Sequence, residues 1–448
     1  MSKWPTEQCR RLIKQIRVRP RIENWEDPEF RSFAASLNQE FEREVVAGFA
    51  PDSEQTAAYF EIIRMDWGPE AVKTTGHRLI GSGLDPATVS SAWLTSFQAG
   101  GAHTLAAELL EELHFKFRTN EIVALRYGQS LAAVGRRNAL STLAEESALI
   151  YEYGEWGKTQ WASLLLDAML PDNAMVFIQY MQKNESLRAS LSWRAQGLSV
   201  KPEPFPYETL LINLNREPRK WRISEMLLKL GGFQPTRIEA IDARNVPYFA
   251  LKKVAANQEV MESQGISAIA TALSHLKCWE KACNLERPTL ILEDDAVPFV
   301  TWNHIASEEF EPGAWDLLFI NERMSLCSSL DTENQAVDPW HVLSNRRGNV
   351  NGVGTDAYMV SREGARKLLE LFDRDGIYGH IDWQLGAYAV DKIVDPDKSN
   401  PLHEALTHRL AALGDSNGLK VACMDIPMFK AVDHGVSNTV DISREMRE

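Results

Sequence analysis

The chain has 448 residues, 44 % of them hydrophobic and 25 % charged, with 62 acidic side chains against 48 Lys and Arg for a formal net charge of −14. This mix excludes a disordered tail or a collagen-like repeat, and the length suits two or three domains with proper cores. The acidic balance argues against a chain coated all over to bind nucleic acid and leaves room for local basic patches. Five cysteines without a CxxC pair or a Cys/His zinc spacing support neither a disulfide framework nor a structural zinc site. No apolar run approaches the length of a membrane span, and Met1-Ser2-Lys3-Trp4-Pro5 is no secretory leader. A cytoplasmic protein is expected.

Residues 1–22 carry seven basic side chains and one acid, and Cys9, Leu12, Ile13 and Ile16 fall on one helical face. Two readings stand: a solvated first helix packed on the next one, or a basic amphipathic helix in peripheral contact with the inner face of a membrane. Onward to residue 198, apolar residues recur at helical spacing, as in Leu105, Leu109, Leu110 and Leu113. Breakers at Gly68-Pro69, Gly81 to Pro86, Gly100-Gly101, Gly135, Gly154 and Pro171 cut this stretch into short helices joined by tight turns. Thr104-Leu-Ala-Ala-Glu108 recurs faintly as Thr142-Leu-Ala-Glu-Glu146. That offset suggests a two-helix repeat of the tetratricopeptide sort, with an irregular bundle as the alternative. Residues 1–198 are therefore expected to be an all-α domain for docking a protein partner or acceptor, or for a dimer contact.

The stretch 199–206, with Pro202, Pro204 and Pro206 at alternate positions, is expected to be an extended linker. From 207 to 448 strand and helix alternate. Strands are expected at Glu208–Leu214, Thr236–Asp242, Thr289–Asp295, Trp315–Asn321 and Thr355–Ser361. Helices are expected after Asn215 as a cap, at Ile269–Leu285, at Arg362–Phe372 and at Trp383–Val390. Such alternation predicts an α/β domain with a mainly parallel sheet, whose ligands sit beyond the carboxyl ends of the strands.

The sharpest feature is Leu290-Ile-Leu-Glu-Asp-Asp-Ala296, three consecutive carboxylates closing an apolar strand. Residues two apart on an extended chain point the same way, so Glu293 and Asp295 can share a hard divalent cation, Mn²⁺ or Mg²⁺, placed to neutralise a diphosphate. The alternative is a solvated acidic turn. The first strand ends Ile212-Asn-Leu-Asn-Arg-Glu-Pro-Arg219, which puts Asn213, Arg216 and Arg219 at the same rim with a helix N-terminus suited to phosphates. Asp242 closes the second strand, where a carboxylate suits a ribose, and Ser274 and His275 offer polar contacts on the next helix.

In this order the pieces resemble the glycosyltransferase family 25 domain, the group that contains lipooligosaccharide and collagen galactosyl- and glucosyltransferases. Its hallmarks stand here as Ile212 to Arg219, Ala240 to Asp242, Ala272 to His275, Leu292 to Asp295, Thr355 to Ser361 with Gly364 to Leu368, and Ile381-Asp382. The resemblance covers residues 207–440 and implies a GT-A fold with a Rossmann-like mixed sheet. It implies a nucleotide-sugar donor, with UDP-galactose or UDP-glucose first, and inverting transfer to a hydroxyl of a glycan or protein. Glu293 and Asp295 then stand for that fold's metal-binding D-x-D. Asp382 matches the late I-D as the base, with an N-cap role as its alternative, and Trp383 beside it is a sugar-stacking or a core residue. His434 is a further candidate for the metal shell. One departure is Ser267-Ala-Ile-Ala-Thr271, where family members carry glycines in what is expected to be a loop near the donor. The competing reading is a non-catalytic helical-repeat interaction protein with a degenerate transferase-like domain. A nucleotidyltransferase is disfavoured by the lack of a glycine-rich, lysine-containing phosphate loop.

Overall fold

The computed structural model describes residues 45–48, 50–150, 152–247, 253–256, 265–305, 313–327, 335–345, 353–390 and 418–432, with single positions and pairs elsewhere. The basic stretch 1–22 and His434 lie outside the described residues. The chain divides into two compact units, the first running to Arg188 and the second from Ala189 to Val432.

The first unit is helical: α1 Ser53–Trp67, α2 Pro69–Gly81, α3 Pro86–Ala99, α4 His103–Lys116, α5 Glu121–Ala133, α6 Arg137–Ile150, α7 Glu155–Asp167 and α8 Pro171–Ile178. Their starts are written in the sequence. Asp52 and Gln55 form a reciprocal capping box on α1, Asn120 accepts from two amides of α5, and prolines open α2, α3 and α8. Alternate helices pack in a row, α1 on α3, α3 on α5 and α5 on α7, while neighbours in sequence from α1 to α6, and α7 with α8, also pack on each other. The two similar stretches at Thr104 and Thr142 fall on α4 and α6, so the sequence offset is one hairpin. The core is filled by large rings such as Trp93 and Trp161, both fully buried.

The second unit opens with α9 Glu185–Ser199, whose end already belongs to it. The Pro-rich stretch that follows is tied down, with the Phe205 amide donating to the Gly232 carbonyl at 2.9 Å and Trp302 Nε1 donating to the Glu203 carbonyl at 2.7 Å. Its sheet uses β1 Glu208–Asn213, β2 Pro235–Glu239, β3 Thr289–Glu293, β5 Leu317–Phe319, β6 Ala336–Val337, β7 Ala357–Val360 and β8 Val421–Met424 in the order β2-β1-β3-β7-β5-β8-β6. A separate ribbon pairs β4 Ala296–Pro298 with β9 Phe429–Ala431. β1 runs parallel to β2 and β3, and β5 to β8, whereas β7 is antiparallel to both β3 and β5. The sheet is mixed, as a Rossmann-like GT-A sheet is, and less parallel than strand–helix alternation alone predicts. The antiparallel strands are β7, between β3 and β5, and β6, beside β8 at the edge.

Helices α10 Pro218–Leu230, α11 Ile266–Ala282, α12 Pro339–Asn345, α13 Arg362–Asp375 and α14 Ile381–Ala389 complete the unit. Leu211, Leu290, Leu292, Leu318 and Met359 join Leu228 of α10 and Phe233 in one core cluster. The alternate residues turn to the other face, where Tyr358 meets His275 and Trp279 of α11. Near-continuous apolar strands are thus explained by burial on both faces. Gly364, inside the G-A-x-x-L signature, has a packing reason: a Cβ there would collide with the Asp316 carbonyl beside β5.

Three local expectations are corrected. The residue capping α10 is Glu217, two after Asn215, and it makes no side-chain cap bond because Pro218 already presets the first turn. The stretch Ser267–Thr271 is the buried first part of α11, not a loop, so small helix-forming residues suit it. Gly265, with φ 79°, makes the turn that enters the helix instead. Asp382 is not the N-cap of α14; His380 holds that position and makes no side-chain cap bond.

Candidate active site

The carboxyl ends of β1 and β2 form one side of the rim, where polar groups interlock. Asn213 is buried and fully engaged: its Nδ2 donates to Asp294 Oδ2 at 2.7 Å, and its Oδ1 accepts from Arg237 Nη2 at 2.6 Å. Arg216 Nε donates to Asp242 Oδ2 at 2.8 Å, while Asp242 Oδ1 accepts from the Arg244 amide at 3.1 Å. The two residues proposed for phosphate and ribose therefore meet each other across the strand ends. Ser274, buried on α11, accepts from the Ile241 amide and donates to the Ala270 carbonyl, both at 2.8 Å, which pins the loop after β2 to the helix. Arg219 is half-buried in the first turn of α10, and its burial lowers the guanidinium below its ordinary pKa.

The other side is the acidic turn between β3 and β4. Asp294 points toward α10, where Lys220 Nζ stands 3.6 Å from Oδ1, and its carbonyl accepts from Ser224 Oγ at 2.7 Å. This leaves Glu293 and Asp295 as the pair with a different environment, as side-chain alternation predicts. Glu293 Oε1 accepts from Thr355 Oγ1 at 2.7 Å and lies 3.4 Å from His275 Nε2, with 31 % of the side chain exposed. Burial pushes its carboxyl up, but His275, Thr355 and Arg323 together outweigh that and hold it below the usual carboxylate range. Asp295 has the opposite fate. Its Oδ1 is buried with no hydrogen-bond partner among the described residues, and burial followed by the negative field of Glu293, Asp356 and Asp294 raises its pKa well above the ordinary value.

More charged groups crowd this point. Arg323 Nη2 pairs with Asp356 Oδ1 at 2.8 Å, and its charge is felt by Glu293, Asp295 and Asp382 as well. Asp356 is 1 % exposed with Oδ2 unpartnered; burial pushes its carboxyl up to about 6, against the pull of Arg323. Gly354 makes this pair possible, since φ is +77° and a Cβ would press on both Arg323 and Asp356. Asp382 Oδ1 accepts from the Trp383 amide at 2.9 Å. Burial raises its pKa, with His380 opposing and Glu293 adding to the rise. Trp383 is half-buried.

The structure thus brings together Glu293, Asp295 and Asp382, and it buries Asn213, Ser274 and His275 behind the rim. Arg323, Asp356 and Thr355 were missed as functional residues by sequence reasoning. Thr355 and Asp356 stand inside the T-x-A-Y signature, which offered a signal; Arg323, after β5, offered none. A hard cation held by proteins near a substrate diphosphate commonly takes one or two carboxylates and completes its shell with phosphate and water oxygens. The residues fit such an ion: Asp295 Oδ1 is buried and unpaired, and the contacts to Glu293 fall on Oε1, not Oε2. Among the described residues no group of three or more His, Cys, Asp or Glu side chains is arranged to hold a metal. Two protein ligands completed by substrate is the arrangement this chemistry allows.

Residues 207–383 match a family model described as Glycosyltransferase family 25 (LPS biosynthesis protein). The match begins just before β1 and ends one residue after Asp382. Comparison with curated proteins gives no match. Among the described residues no helix is long and apolar enough to cross a membrane.

Proposed function

We propose, from the match of residues 207–383 to glycosyltransferase family 25, that this transferase works between a sugar donor and an acceptor as a metal-dependent, inverting hexosyltransferase that uses a UDP-sugar, UDP-galactose or UDP-glucose first. The observation that carries the reading is the pair Glu293 and Asp295 at the end of β3, one carboxylate held ionised by its neighbours and the other buried with an unpaired oxygen.

Glu293 and Asp295 would hold Mn²⁺ or Mg²⁺, which supplies Lewis-acid neutralisation of the departing diphosphate. Thr355 fixes the Glu293 carboxylate, and Arg323 offsets the mutual repulsion of the acids around it. In an inverting transfer the acceptor oxygen bonds to the anomeric carbon as the bond to the diphosphate breaks on the opposite face, and the acceptor's proton must leave. Asp382 would take that proton; its raised pKa makes it a stronger base than a solvated carboxylate. The half-buried Arg219 at the start of α10 suits the phosphates of the donor. The helical unit would dock the glycan or protein acceptor, a partner protein or a second copy, and exposed Phe115 and Leu149 on that unit support such a contact.

The test is a screen of nucleotide sugars for hydrolysis in Mn²⁺ or Mg²⁺. Release of UDP from a UDP-hexose, abolished by a chelator, is expected. Turnover of no nucleotide sugar, with no metal-dependent heat on titrating UDP, would favour the non-catalytic platform.

A further inference from the structure

Behind Glu293 lies a chain of buried side chains that donor or acceptor cannot touch. Tyr358, on β7, is fully buried, and so are Trp279 and His275, on successive turns of α11. Trp279 Nε1 donates to Tyr358 Oη at 2.9 Å, because an indole nitrogen can only donate. Tyr358 Oη lies 2.8 Å from His275 Nδ1. Among the described residues the tyrosine proton meets no other acceptor, so it goes to Nδ1 of the neutral ring, which is then the bare nitrogen. The imidazole proton is left on Nε2, a buried atom with no hydrogen-bond partner among the described residues that stands 3.4 Å from Glu293 Oε1.

We propose that Trp279, Tyr358 and His275 act as a positioning relay that fixes the Nε2–H tautomer of His275, aims it at Glu293 Oε1, and so holds Oε2 of that carboxylate ready for the cation. The direction of every bond follows from one end: a donor-only indole sets the hydroxyl, the hydroxyl sets the imidazole, and the imidazole sets the carboxylate. Thr355 addresses the same oxygen from the loop before β7. One oxygen of the carboxylate is therefore held by Thr355 and faced by His275, from two different elements. His275 takes no part in contacting the donor; it acts through Glu293. Partners of this kind, one shell behind a metal ligand, typically change metal affinity by about 10–100-fold when removed.

This inference rests on the cation reading of Glu293 and Asp295, and its test separates the two. Free Mn²⁺ is measured by electron paramagnetic resonance against the whole protein, alone and with UDP, for wild type, His275→Leu, His275→Gln and Tyr358→Phe. The expected result is that wild type binds, His275→Leu binds about 10–100-fold more weakly, and His275→Gln recovers most of the loss through its amide donor. Tyr358→Phe keeps the ring but frees the tautomer, so it should weaken Mn²⁺ by a smaller factor while leaving its thermal transition cooperative. It also covers the case in which His275→Leu does not fold. If wild type binds Mn²⁺ and both Tyr358→Phe and His275→Gln match it while His275→Leu folds and binds equally, the relay is wrong and the cation reading stands. If wild type binds no Mn²⁺ with or without UDP, the cation reading fails and the relay with it.

Discussion

The two sides of the rim use the same residue types to opposite ends. Beyond β1 and β2 the polar side chains interlock: Asn213 joins Asp294 to Arg237, Arg216 Nε joins Asp242, and Ser274 both accepts and donates. Beyond β3, Asp295 Oδ1 and Asp356 Oδ2 are buried with no hydrogen-bond partner among the described residues. An unsatisfied buried carboxylate is costly, and a fold keeps one where a ligand completes it. The contrast separates residues that build the rim from residues positioned for chemistry, although a single sequence makes both look like polar strand ends.

The sharpest way to break that division is Asp382→Asn. On the proposed reading it lowers transfer by about 10²–10⁴-fold, the range for loss of a general base, while the donor KM stays close to wild type. Steady-state kinetics with a UDP-hexose checks this; unchanged turnover would move the base elsewhere. On the other side of the rim the expected effect is on stability. Asn213→Ala leaves the Asp294 carboxylate and the Arg237 guanidinium each short of a bond, so unfolding in denaturant should cost about 2–3 kcal/mol less. A wild-type midpoint for Asn213→Ala would mean that the interlocked side is not structural.

A smaller effect sharpens the same line. Asp356 sits near pKa 6, raised from the carboxylate range by burial. Its folded pKa exceeds its unfolded value, so the native state binds the extra proton, and this contribution to stability is present in acid and lost as pH rises toward about 6 and beyond. Asp356→Asn keeps the neutral form at all pH. Relative to wild type its melting temperature should therefore be higher at about pH 8 than at about pH 4. A difference that does not change with pH would show that Arg323 keeps Asp356 ionised throughout.

Much of the fold was legible because burial on two faces leaves plain marks. The apolar runs at Leu210, Leu290 and Leu318 and the Gly-Pro break between α1 and α2 read directly as elements. The antiparallel insertion of β7 was not legible, since its residues look like any buried strand and only pairing decides direction. At the site, Glu293, Asp295 and Asp382 announced themselves as an acid run and a late I-D. His275 was visible as a polar residue and misjudged in depth, because helical spacing alone does not tell which face of α11 meets the sheet. Arg323 gave no sign: it follows a short strand and gains its meaning from Asp356, which is distant in sequence.

The account turns on the acid turn after β3. Isothermal titration of Mn²⁺ into the whole protein with UDP, for wild type and Asp295→Asn, tests it most directly. The expected result is metal-dependent heat in wild type that vanishes in Asp295→Asn, with the variant melting at or above the wild-type temperature because an unpaired buried acid has become neutral. Equal heat from both proteins, or none from wild type, would contradict it.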